Sequence, residues 1–351
     1  MPFGDREGLA SIDIEVAAGE RLALLGPSGS GKTSLLRSLA GLQPSLAGRV
    51  VVDGRDVTGV APEQRGVVYM HQAPSLFPHL SVLRNVAFPL DVRGYERADA
   101  DRLARAGLAR VQLETLAERA PATLSGGQRH RVALARALAA SPRVLLLDEP
   151  FASLDPALRA EVREAVLDVL RESGGPAVVV VTHDVDEAAA LGDRVAVLLD
   201  GAIAQSGPPA EVFARPATVG IARFLGTTNV MTGHRDAEGL IHTVFGTWRS
   251  PGRRGTIHLV VRPGQVHLHA RQAPVVAADV AATATAIVDS IHERVSGTYV
   301  RLRWPTDGAA TPWLAAMSEG APRVGAAVTV VIDPRQAHVI DAVDEARHDV
   351  R

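Results

Sequence analysis

The segment GPSGSGKT, Gly26–Thr33, has the spacing G-x-x-x-x-G-K-[ST] of a loop that wraps phosphate groups. Lys32 is the only lysine in the chain; every other cationic side chain among the 37 is arginine. A lysine presents a compact charge on a slim stem that slips between β- and γ-phosphates, where the broad guanidinium fork does not. Gly26, Gly29 and Gly31 let the backbone curl so that its N–H groups face the phosphates, and the helix that follows adds its partial positive charge. The candidate phosphate-binding set is Gly26, Pro27, Ser28, Gly29, Ser30, Gly31, Lys32, Thr33 and Ser34, with the Thr33 hydroxyl placed for Mg2+.

Further residues narrow the chemistry. VLLLDEP puts Asp148 and Glu149 at the end of an apolar run: Asp148 suits the Mg2+ shell, and Glu149 can polarise an attacking water. LSGGQRHR, Leu124–Arg131, opens a helix whose start, Ser125, Gly126, Gly127 and Gln128, forms a second anion-binding terminus; by itself it also reads as an ordinary serine cap. His183 follows AVVVVT and can hydrogen-bond a γ-phosphate. Gln72, in YMHQAPSLFPHL, can reach the Mg2+ or the water. The candidate catalytic residues are Glu149, His183 and Gln72, and the candidate metal ligands Thr33, Gln72 and Asp148; singly, His183 also reads as a surface residue, Gln72 carries no signal, and the paired acids also read as a solvated turn.

These residues need rigid elements to hold them. RLALLG, RVLLLDEP, AVVVVTHD and RVAVLLDG read as buried strands. Thr33–Ala40 and Pro156–Ser173 read as helices, the second with Pro near its start and Gly174–Gly175 at its end. Strands alternating with helices imply a largely parallel, covered sheet. Residues 94–140 read as helical throughout, an insertion in the α/β core. After Gly226 the runs GLIHTVF, TIHLVVRP, YVRLRW and AVTVVIDP are separated by turn residues and suggest a small all-β barrel. Pro263–Leu268 echoes Pro334–Val339 in pattern. His267, His269 and His338 are read as partly exposed sheet residues rather than a metal site.

Phosphate loop, Gln72, LSGGQ, LLLDE, SLD (Ser153–Asp155) and His183, in that order, resemble the ATP-binding cassette (ABC) ATPases from residue 3 to about 225. The resemblance implies a P-loop NTPase with a RecA-like core and a helical subdomain at about 75–140, together forming domain 1–225. It implies a head-to-tail homodimer in which each ATP lies between one copy's phosphate loop and the other's Ser125–Gln128. Glu149 is then the base, Gln72 the link from nucleotide to transporter, Asp155 a dimer contact and His183 the γ-phosphate switch. Phe3 lies at the offset of the adenine-stacking aromatic. His130 stands where the family usually has Gln. Residues 226–351 look like the oligonucleotide/oligosaccharide-type barrel (TOBE) appended to importer ATPases of the sugar, sulfate, iron and polyamine groups.

Composition agrees with that class. The 46% hydrophobic content supplies cores, built mostly of Ala, Val and Leu because aromatics make up only 4%. A net charge of −2 gives no bulk pull towards nucleic acid. No cysteine is present, which rules out disulfides and thiolate metal sites. No apolar run reaches the ~20 residues of a membrane span, and MPFGDREG carries no apolar signal region. The expected protein is an ATP- and Mg2+-using import subunit on the cytoplasmic face of a membrane. Its expected partners are integral permease subunits and, through them, an extracytoplasmic solute-binding protein. An inorganic or organic ion such as iron, sulfate, thiamine or a polyamine is the expected solute; a sugar importer and a soluble non-transport ABC ATPase are the alternatives.

Overall fold

The computed structural model describes residues 12–43, 48–73, 75–152, 154–171, 175–227, 229–270, 282–294, 297–304, 312–317 and 322–342. Phe3 and Ser153 lie outside the described residues. The chain forms two compact units, Met1–Pro209 and Ala210–Arg351.

The first unit runs β1 (Arg21–Leu25), α1 (Lys32–Ala40), β2 (Val51–Val52), β3 (Arg55–Asp56), β4 (Val67–Met70), α2 (Val82–Val92), α3 (Arg97–Arg110), α4 (Gly126–Ala139), β5 (Val144–Asp148), α5 (Pro156–Leu170), β6 (Ala177–Thr182), α6 (Val185–Leu191), β7 (Arg194–Leu199) and β8 (Ala202–Gly207). Its sheet has the order β4-β5-β6-β1-β7-β8, parallel except for the β7–β8 hairpin. Strands β1, β5 and β6 are buried almost throughout, as continuous Val/Leu runs covered on both faces must be. One face packs Leu22, Leu24 and Leu36 with Leu146 and Val181; the other packs Leu145, Leu147 and Val180 with Phe151 and Val166.

Register sets the function of this sheet. Leu25 pairs with Thr182, Asp148 with Val181, and Met70 with Leu147. The phosphate loop, Glu149, His183 and the Gln72 segment therefore all leave the sheet at its carboxyl edge, where ligands of open α/β sheets bind.

The insertion is helical as expected over 94–140, but broken into separate helices rather than helical throughout. Helix α2 ends at Val92 and α3 starts at Arg97, and two 3-10 turns, Glu114–Leu116 and Pro121–Thr123, lie between α3 and α4. Pro121 opens the second turn, and extended backbone at Leu124 and Ser125 precedes the start of α4. The three helices share a core of Val82, Val86, Ala104, Leu108 and Val132.

The second unit contains α7 (Pro209–Ala214), α8 (Val219–Phe224), β9 (Asn229–Arg235), β10 (Leu240–Thr243), β11 (Gly246–Arg249), β12 (Gly255–Val261), β13 (His267–Ala270), β14 (Ala282–Arg294), β15 (Gly297–Arg303), β16 (Trp313–Met317), β17 (Ala327–Ile332) and β18 (His338–Asp341). The division between units falls ahead of the expected 225/226. Helix α8 buries Val219 and Ala222 against Val260 and Ile340, so its apolar face is committed to the β unit.

Among the described residues the β unit forms two antiparallel sheets, β11-β10-β9-β12-β18 and β13-β17-β14-β15-β16. Their shared core holds Phe245, Trp304 and Trp313, with ring centroids 5.1–5.4 Å apart. The sequence echo marks where chains change sheets. Strand β12 pairs with β18 in one sheet, while β13 pairs with β17 in the other. Pro263–Gln265 and the Pro334–Gln336 turn are the two corners, and Gln265 Nε2 donates to the Gln336 carbonyl at 3.2 Å.

Candidate functional site

The phosphate loop sits between the buried end of β1 and α1. Gly29 and Gly31 have φ of +85° and +95°, conformations that side chains other than glycine's resist. Gly26 is required for a different reason: a Cβ there would meet the Leu198 carbonyl oxygen at 2.5 Å. The far end of α1 is anchored by Arg65, which donates to the Ser38 and Leu39 carbonyls at 3.1 Å and to Thr58 and Val60 carbonyls at 2.7 and 2.8 Å. A cation at the carbonyl end of a helix also complements its dipole.

Lys32 is 4% exposed. Its Nζ donates to the Gly26 carbonyl at 2.8 Å, the Pro27 carbonyl at 2.7 Å and Ser30 Oγ at 3.4 Å. Burial lowers the pKa of this ammonium, and Glu149 and Asp148 oppose the shift. Thr33 Oγ1 donates to Asp148 Oδ1 at 3.0 Å, and the Tyr69 hydroxyl donates to Asp148 Oδ2 at 2.6 Å. Tyr69 carries no functional signal in the sequence, because an aromatic on a strand indicates only packing. A threonine hydroxyl touching a carboxylate, with phosphate oxygens to complete the set, is the hard oxygen chemistry that Mg2+ takes. The residues present fit that ion.

Glu149 has φ of +44°, a strained conformation for a residue with a side chain. Its N–H donates to the Val181 carbonyl at 2.9 Å, which ties the backbone just past β5 to β6. Its Oε1 lies 3.3 Å from His183 Nδ1. His183 is half exposed, on a turn fixed by Thr182 Oγ1 donating to the buried Glu187 carboxylate at 2.7 Å and by the Asp184 cap of α6. Burial pushes the Glu187 carboxyl up.

Lys32, Thr33, Asp148, Glu149 and His183 are therefore assembled on one edge. Gln72 leaves the same edge, but its side chain is exposed and makes no hydrogen bond among the described residues; its carbonyl instead lies 3.2 Å from His130 Nε2. Ser125 and Gln128 form a reciprocal cap on α4, with Gln128 N donating to Ser125 Oγ at 3.2 Å and Ser125 N to Gln128 Oε1 at 3.0 Å. Among the described residues they make no hydrogen bond to the phosphate loop. Gly127 has a packing role that the sequence hides: a Cβ there would meet Leu158 Cδ1 at 2.7 Å and Val162 Cγ2 at 2.8 Å on α5. Asp155 caps α5, accepting from Leu158 N at 3.0 Å. In the β unit, His338 Nε2 meets the Pro216 carbonyl at 2.9 Å, and no group of three His, Cys, Asp or Glu among the described residues is placed to hold a metal. Among the described residues no helix is long and apolar enough to cross a membrane.

Residues 9–152 match the ABC transporter family. The Fe(3+) ions import ATP-binding protein FbpC 1 of Rhizobium meliloti is 43% identical over 276 residues, 76% of this chain and 77% of that protein. The Fe(3+) ions import ATP-binding protein FbpC of Streptomyces coelicolor is 43% identical over 343 residues, 96% of this chain and 94% of that protein. A solved ATP-binding cassette, dimeric in a post-hydrolysis state with ADP and Pi, is 31% identical, with a TM-score of 0.51 over 57% of this chain and 90% of its own. Identity of this degree across both units is a kinship of whole chains rather than of phosphate loops, and the protein belongs to the ABC transporter family as an ATP-binding, ATP-hydrolysing subunit.

Proposed function

We propose that the chain powers an importer of ferric iron, working as a head-to-tail pair with each ATP held between the phosphate loop of one copy and Ser125–Gln128 of the other. The observation that carries the hydrolytic reading is the constellation at the sheet edge, where Glu149 and His183 stand beside the Thr33–Asp148 pair. The iron assignment is supported by the names of the relatives, which import Fe(3+).

In this reading the loop N–H groups and Lys32 hold the phosphates. Thr33, Asp148 and the Gln72 amide would hold Mg2+, which would neutralise phosphate charge. Glu149 accepts the proton of the attacking water. His183 keeps the Glu149 carboxylate oriented through Nδ1 and offers its other nitrogen to a γ-phosphate oxygen. Phe3 stacks on adenine, and Asp155 faces the partner copy. ATP closes the pair and hydrolysis reopens it.

The motion passes to permease subunits at the cytoplasmic face of the membrane. Phe77 and Phe88, with ring centroids 4.6 Å apart, suit this contact because Phe88 is 40% exposed beside exposed Val92 and Tyr95. Leu76 packs into the cores of the first unit. The permease receives its solute from an extracytoplasmic binding protein, and the β unit serves as the dimerising TOBE-like domain.

The test is Glu149→Gln in the full chain. It binds ATP, hydrolyses it about 100-fold or more slowly, and accumulates as an ATP-dependent dimer by sedimentation. Undiminished turnover removes Glu149 from its role. Radiolabelled ferric iron uptake that survives loss of this chain removes iron.

A further inference from the structure

Helix α4 begins at Ser125–Gln128 and carries two polar side chains that grip the Gln72 segment. His130 is 3% exposed. Its Nδ1 lies 3.1 Å from the Gly126 carbonyl on its own helix, and its Nε2 lies 3.2 Å from the Gln72 carbonyl. Farther along, Arg136 Nη2 donates to the Ser75 carbonyl at 2.7 Å, and its guanidinium lies 5.1 Å above the Phe77 ring. Fully buried Asn85 completes the grip, accepting from Phe77 N at 2.8 Å and donating to the Leu80 carbonyl at 3.1 Å. The segment after Gln72 is thus held through its backbone, by side chains from α2 and α4.

Resting on the dimer reading above, we propose that His130 is a positioning residue that makes the Gln72 segment and the Ser125–Gln128 helix start move as one body. In the head-to-tail pair these two parts of a single chain serve different ATP molecules: Gln72 faces the chain's own nucleotide, and the α4 start faces its partner's. With its proton on Nε2 the neutral ring donates to the Gln72 carbonyl rather than to Gly126, and that bond from α4 transmits the occupancy of one site to the other within about one turn of helix. The bond needs only an N–H donor with the reach of the imidazole Nε2. Glutamine supplies one, asparagine is too short, and leucine has none.

The experiment compares wild type with His130→Leu, His130→Asn and His130→Gln in the full chain. It measures ADP affinity by calorimetry, turnover against ATP concentration, and hydrogen exchange of the amides of residues 70–73 and 75–77. The leucine and asparagine variants are expected to bind ADP within about twofold of wild type, because the phosphate loop is untouched. Their turnover falls about tenfold with loss of cooperativity in ATP, and the amides of residues 70–73 and 75–77 exchange faster. Glutamine restores all three readouts. Wild-type turnover, cooperativity and exchange in both leucine and asparagine variants overturns the proposal, as does failure of glutamine to rescue. If leucine does not fold, asparagine decides alone. If Glu149→Gln shows no ATP-dependent dimer, the dimer reading falls, and the exchange of residues 70–73 and 75–77 still reports whether His130 holds the segment.

Discussion

Thr33 and Asp148 are 115 residues apart in the chain and share a hydrogen bond of 3.0 Å between Oγ1 and Oδ1. Parallel register creates this contact. Strands β1 and β5 both pair with β6, which brings the start of α1 and the end of β5 to one edge. Tyr69, on the neighbouring β4, takes the other carboxylate oxygen. The pair proposed to hold Mg2+ is therefore brought together by the sheet's register.

Tyr69 gives this assembly a pH signature. Its pKa is pushed up to about 12, first by burial and then by the hydrogen bond to Asp148. A raised folded value favours the neutral phenol in the folded state. The contribution is complete below about pH 10, the ordinary phenol value, and is lost as pH climbs towards the folded value. Tyr69→Phe is expected to cost about 1–2 kcal/mol near pH 8, because Asp148 Oδ2 loses its donor. The difference from wild type should shrink above pH 10. Urea unfolding of both proteins at pH 8 and at pH 11 checks this; a gap of equal size at both contradicts it.

Three glycines with the same look in sequence separate by what surrounds them. Gly26 faces a backbone carbonyl at 2.5 Å, Gly127 faces side-chain ends on α5 at 2.7 and 2.8 Å, and Gly126 has nothing nearer than 3.6 Å. Alanine at 26 is expected to be the costliest, at about 1–3 kcal/mol, since a backbone atom cannot step aside. Alanine at 127 costs less, and at 126 the change stays within about 0.5 kcal/mol. ADP affinity falls for Gly26→Ala alone. Thermal unfolding with ADP calorimetry gives the order, and equal losses at the three positions would refute the packing argument.

The sequence makes the phosphate loop, Asp148, Glu149 and His183 legible because each follows a buried apolar strand, and a strand's carboxyl end is readable from its composition. The contacts between elements are not legible in the same way. Tyr69 reads as a strand aromatic until register places it over Asp148. Gly127 reads as a helix start suited to an anion, whereas the closeness of Leu158 and Val162 on α5 also demands it. Gln72 is visible by type, but its carbonyl is what the fold engages, and no residue preference records a carbonyl. In the β unit the repeated Pro-x-Gln-x-His pattern is visible, and only the pairing of β12 with β18 and β13 with β17 shows that it marks the corners between two sheets.

The central claim, that each nucleotide is held by two chains, is tested most directly by co-expressing two inactive variants. Lys32→Ala spoils the phosphate loop and leaves the α4 start intact; Ser125→Arg does the reverse. Each alone should be inactive. In a mixed pair, one site joins the sound loop of one copy to the sound helix start of the other, so the co-expressed preparation should recover roughly a quarter of wild-type turnover. A preparation as inactive as its components, or a Ser125→Arg chain that hydrolyses ATP at the wild-type rate by itself, would contradict the shared site.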